Sequence, residues 1–112
     1  MKTTQIGAVA LLGLGSVLFS LPALAAYPAL YWWRQPVSYS VRGCFNQAEK
    51  AMKQEGLQGI EIGNSDVYGH TDESAVAITC FDSGGKTQVV IMVTGSDSAE
   101  VKELRETMKN AF

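Results

Sequence analysis

The sequence predicts an α+β fold, a two-layer sandwich in which an antiparallel β-meander carries two helices on one face, in the order β-α-β-β-β-α. Three observations predict it. Two segments place apolar residues at three- and four-residue steps: Cys44, Phe45, Ala48, Ala51, Met52 early in the domain, and Val101, Leu104, Met108, Ala111 at its end. Between them lie short stretches rich in β-branched residues, among them Ser74–Phe81 and Thr87–Thr94. Asp82-Ser83-Gly84-Gly85 separates those two stretches with the residue types that tight hairpins demand.

Taken in order, residues 1–25 read as a cleavable signal peptide rather than as fold. Lys2 gives the cationic start, Ile6–Leu21 is an apolar run interrupted by small residues, and Pro22 precedes the small-residue site Ala23-Leu24-Ala25. Cleavage there leaves Ala26 as the new amino terminus. The competing reading is an uncleaved anchor, because the run from Ile6 to Ala26 approaches the ~20 residues of a membrane span. No cysteine follows the apolar run, so a lipoprotein box is excluded. The expected location is outside the cytoplasm, periplasmic or extracellular, with membrane contact only through the signal segment before cleavage.

Residues 26–36, AYPALYWWRQP, are expected to form an irregular aromatic arm, since Pro28 and Pro36 interrupt regular structure while Tyr27, Tyr31, Trp32 and Trp33 crowd together. The domain proper then spans 37–112. Val37, Tyr39 and Val41 alternate with serines as in a short strand, which Gly43 ends. A helix is expected over Cys44–Glu55, with Gly56 just beyond its last turn and Leu57 folding back on Met52. Gly59–Ile62 begins the next strand, continuing unevenly through Asp66–Tyr68 to a polar turn at Gly69-His70-Thr71-Asp72. Ser74–Phe81 and Thr87–Thr94 follow; the near-continuous apolar run of the latter suggests a central strand covered on both faces. Asp97 and Glu100 stand at capping-box spacing before the last helix, which starts at about Ser98.

Without residues 1–25 the chain keeps 87 residues, with eight Lys plus Arg against eleven Asp plus Glu, a net charge of about −3. A mildly acidic surface offers phosphate backbones no cationic footprint, so nucleic acid is not the expected partner. The chain is long enough for one core and not two. Cys44 and Cys80 suit a disulfide in an oxidising compartment, and two separately buried thiols are the alternative.

Few constellations carry chemistry. His70 is the only histidine, and with Asp66 or Asp72 it could act as an oriented general base; the other reading is a solvated turn. One histidine cannot build a typical zinc site, and calcium-loop spacing is missing. Neither a G-x-S-x-G elbow nor a phosphate-binding loop is present, so the sequence points to no cofactor and no metal. Tyr31-Trp32-Trp33-Arg34 could form a binding surface, because Tyr, Trp and Arg dominate binding hot spots. Alternatively the arm covers the sheet face that the helices leave open, over Phe81 and Met92.

Gly43-Cys44, Ala48, Ala51, Ala77-Ile78-Thr79-Cys80-Phe81, Val89 through Gly95-Ser96-Asp97 and the terminal helix together resemble small exported two-cysteine bacterial domains of unknown function. The resemblance covers residues 43–110 and implies export and a cysteine pair, with no activity to carry over. The sequence therefore points to an exported, non-enzymatic accessory module that binds a protein or envelope ligand. Its rival is a small hydrolase or metal-dependent enzyme centred on His70.

Overall fold

A computed structural model describes residues 28–112; the signal-peptide reading of residues 1–25 and cleavage before Ala26 lie outside the described residues. The elements are β1 (Ala29–Val37), α1 (Val41–Gln54), β2 (Gln58–Ile62), β3 (Asp66–His70), β4 (Ser74–Ser83), β5 (Lys86–Gly95) and α2 (Ser98–Asn110). The strands form one sheet in the order β1-β5-β4-β3-β2, every neighbouring pair antiparallel. Both helices pack on one face, so the α+β two-layer architecture expected from the sequence is the fold.

The core follows from the two periodicities. Cys44, Ala48, Ala51 and Met52 of α1 and Val101, Leu104 and Met108 of α2 meet Val67 of β3, Val76, Ile78 and Cys80 of β4, and Val89, Ile91 and Val93 of β5. The Cys44–Cys80 disulfide lies inside this layer and ties α1 to the middle strand. Leu57 N–H donates to Met52 O and Gly56 N–H to Lys53 O, the paired bonds that close a helix on a glycine. Ser83 and Lys86 are the last paired residues of β4 and β5, leaving Gly84 and Gly85 at φ 63° and 85° as a two-residue turn that side-chain-bearing residues rarely make.

Four expectations are corrected. Residues 29–37 are not an irregular arm: β1 pairs with β5 over nine consecutive positions, from Ala29 opposite Gly95 to Val37 opposite Thr87. Proline is tolerated because β1 is an edge strand, where a missing N–H on the free side costs no ladder bond. The alternation at 37–41 is not a strand, because Ser40 Oγ accepts from Gly43 N–H at 3.0 Å and caps α1, so the helix starts at Val41. Residues 58–70 make a hairpin of two strands instead of one uneven strand, which places His70 at the end of β3 and the turn beyond it. The capping box is one-sided: Asp97 accepts from Ala99 and Glu100 N–H, whereas the Glu100 carboxylate accepts from Thr71 Oγ1 at 3.0 Å and Ser74 Oγ at 2.7 Å, fastening α2 to the β3–β4 turn.

Candidate functional site

Strand alternation divides the aromatic segment between the two faces of the sheet. Tyr31 and Trp33 point to the helical face, where the Arg105 guanidinium lies 5.7 Å and 5.9 Å from their ring centroids and Lys109 Nζ stands 4.0 Å from the Trp33 ring. Trp33 Nε1 donates to Gln35 Oε1 at 2.7 Å, and Tyr31 OH shares a hydrogen bond with Ser98 Oγ at 3.3 Å. These two rings belong to the fold. Trp32 and Arg34 point the other way.

The other way is the open face. Among the described residues it carries no helix, and these residues cover β5 on one side only, contrary to the expectation that its apolar run is shielded on both. Leu30 and Trp32 are each 58% exposed and Tyr68 and Met92 each 44%, a concentration of large apolar surface uncommon on a monomer. The register sets these residues in cross-strand rows. One runs Trp32–Met92–Ala77–Tyr68, the next Leu30–Thr94–Ala75–His70, and the third Arg34–Val90–Thr79–Asp66. The first two rows floor a shallow depression of about 470 Å³ between Leu30, Met92, Tyr68 and His70.

Polar groups stand at the margins of this apolar strip. On the β1 side, Arg34 Nε donates to Gln88 Oε1 at 3.4 Å and its guanidinium lies 5.5 Å from the Phe81 ring. On the β3 side, Asp66 accepts from Tyr68 OH, from Thr79 Oγ1 at 2.8 Å and from Ser65 Oγ at 3.2 Å. The Tyr68 bond first, then that of Thr79, hold the Asp66 carboxyl below its ordinary range against a small opposing effect of burial, with Ser65 adding to the lowering. The same bond holds the Tyr68 hydroxyl above its ordinary value.

The structure does not bring Asp66, His70 and Asp72 together. Asp66 and His70 close opposite ends of β3, four residues or roughly 13 Å apart at strand rise. His70 Nδ1 bonds the Thr71 carbonyl oxygen at 2.9 Å, and its Nε2 lies against Gly59, 2.7 Å from where a Cβ would stand. Asp72 sits in the turn after β3, and its side chain is not among the partners of His70. Among the described residues no group of three or more His, Cys, Asp or Glu side chains is gathered as a metal would require. No protein-family model matches the chain, and no curated protein matches it either.

Sequence reasoning named Trp32 and Arg34, and placed Met92 on the face that the helices leave open, but missed Leu30 and Tyr68. The alternation of ALYWWRQPV was the available signal, since every second residue of a strand shares a face.

Proposed function

We propose that this protein is an exported, non-enzymatic binding module that meets its partner with the open face of its sheet. The observation that carries the reading is the row Trp32–Met92–Ala77–Tyr68: rigid aromatic and thioether side chains held on paired strands, uncovered, and flanked by Arg34 and Asp66. An apolar centre with a polar margin is the anatomy of a binding surface, and anchoring it on strands lowers the entropy lost on docking.

Export is supported by the Lys2, apolar-run and Ala23-Leu24-Ala25 pattern together with a disulfide inside the domain, a bond that persists in oxidising compartments. Among the described residues no helix is long and apolar enough to cross a membrane. The mature protein is then expected to begin at Ala26, and intact-mass measurement on exported material checks this. The resemblance to small exported two-cysteine domains agrees with the same reading.

Capture from the exported fraction tests the binding surface, with the wild type and a Trp32→Ser/Met92→Ser double variant as parallel baits. Loss of bound species in the variant, with an unchanged thermal melt, is the expected outcome. Equal recovery by both baits would overturn the reading.

A further inference from the structure

We infer that the partner of the open face is a second copy of this chain, packed sheet against sheet about a twofold axis that runs along the strands between β4 and β5. The inference rests on the open face being a binding surface and adds who occupies it.

The register carries the argument. Turning one sheet over about that axis keeps each cross-strand row at its own height and reverses its order, so β1 faces the partner's β3 and β5 the partner's β4. In the row Arg34–Val90–Thr79–Asp66 the two ends carry opposite charges, and the reversal sets Arg34 over the partner's Asp66 twice in each dimer. Hydrogen bonds from Tyr68, Thr79 and Ser65 keep that carboxylate ionised and in place. In the row Trp32–Met92–Ala77–Tyr68 the reversal seats the long Met92 side chain on the partner's Ala77 and Trp32 on the partner's Tyr68, so the middle alternates large against small and the flanks stack ring against ring. Leu30 meets the partner's His70, whose ring lies against Gly59. A twofold contact must be self-complementary in this way.

Size and geometry agree. Four strands about 4.8 Å apart over roughly eight residues of ~3.3 Å each give a flat footprint on the order of 500 Å². With side-chain relief this approaches the roughly 800 Å² per partner of a standard stable interface. Aligned sheets pack about 30° apart, which the axis supplies by tilting about 15° from the strands; β4 and β5, nearest the axis, stay close to register, and β1 shifts along the partner's β3 by roughly 4 Å, a distance the long Arg34 side chain spans. The result is a four-layer molecule, helices outside and two sheets within.

Sedimentation velocity on the exported protein, from about 1 to about 200 µM, spans the range in which an interface of this size associates. Dimer is expected to form as concentration rises. Arg34→Asp and Asp66→Arg should each weaken it at least about tenfold by setting like charges face to face. Mixed in equal amounts the two variants should form a heterodimer, because both contacts are then complementary, and its recovery shows that each variant is folded. Trp32→Glu should be monomeric throughout. A wild type that stays monomeric across the range, a dimer indifferent to all three substitutions, or two charge variants that remain apart on mixing would overturn the inference. A monomeric wild type whose Trp32→Ser/Met92→Ser variant still loses capture would remove the dimer and leave the binding reading standing; equal capture as well would remove both.

Discussion

Arg105 Nη1 donates to the main-chain carbonyl oxygen of Trp32 at 3.0 Å, so a helix side chain satisfies a backbone acceptor of the edge strand from across the layer. Its Nη2 pairs with Glu106 at 2.7 Å, and its plane lies near the rings of Tyr31 and Trp33. One arginine thereby clamps β1 to α2 through a hydrogen bond and two aromatic contacts, while the ion pair to its α2 neighbour Glu106 holds the guanidinium in place. A long apolar edge strand is a template for unwanted pairing, and a guanidinium on its carbonyl together with Pro36 blunts it.

The two adjacent tryptophans are expected to behave oppositely. Trp33→Ala removes a half-buried ring from beneath Arg105 and Lys109 and should cost about 2–4 kcal/mol, somewhat less than truncating a fully buried aromatic. Trp32→Ala removes a ring that touches mostly solvent and should change stability by about 0.5 kcal/mol or less at a dilution where the chain is a monomer. Paired urea melts separate the two.

The disulfide should dominate the stability of so small a core. Cys44 and Cys80 are 36 residues apart, and the loop they close restricts the unfolded chain by about 4 kcal/mol on the chain-entropy account. A Cys44→Ala/Cys80→Ala double variant is expected to lose roughly that amount. Both cysteines are buried, so thiol reductants should open the bond at the rate of unfolding and not by direct attack. Reduction followed against urea concentration checks this, since direct attack would be insensitive to mild denaturant.

The layers were legible because they rest on periodicity: Cys44, Ala48 and Met52, or Val76, Ile78 and Cys80, state which face is buried without tertiary information. What failed were contests between two local signals. Val37, Tyr39 and Val41 alternate as in a strand, yet the Ser40 hydroxyl on Gly43 N–H decides for a helix. Pro28 and Pro36 read as breakers, although a proline on a free edge breaks nothing. The open face was illegible for another reason. The apolar residues of Thr87–Thr94 declare that both faces of β5 avoid water, but only the register tells that Val90 and Met92 lie beside Arg34 and Trp32, with no third layer above them among the described residues.

A test of the packing lies at Gly95, where the end of β5 passes under α2. A Cβ there would stand 2.5 Å from Ser74 Oγ, 2.7 Å from the Glu73 carbonyl oxygen and 2.9 Å from Val101 Cγ2. A backbone carbonyl cannot swing aside, and Ser74 is held by Glu100. Gly95→Ala is expected to destabilise by about 2–3 kcal/mol, in the range of overpacked cores, and to loosen the α2 attachment first. Hydrogen exchange should register faster opening of Val101–Met108 than of β4; uniform protection would mean that the strand end shifts freely.

The bond between Tyr68 and Asp66 should leave a signature at both ends of the pH scale. Asp66 titrates below its ordinary value of 3.8 in the fold, so within that interval the unfolded chain binds more protons than the native one and stability rises with pH. The contribution is complete above the ordinary value and is lost as pH falls through the lowered one. Tyr68 titrates above its ordinary value of 10.0, so its contribution is complete below that value and is lost as pH climbs through the raised one. Asp66 is only partly buried, at the surface of the sheet, which keeps its part under about 1 kcal/mol. Tyr68→Phe keeps the ring on the sheet while removing both the main hydrogen-bond donor to Asp66 and the hydroxyl whose own titration that bond raises. Its melting temperature against pH is therefore expected to be flatter than that of the wild type on both flanks, with little change near neutrality. Asp66→Asn should flatten both flanks as well, since the tyrosine then loses its anionic partner. A Tyr68→Phe curve parallel to the wild type at low pH would show that Thr79 and Ser65 alone hold the carboxylate.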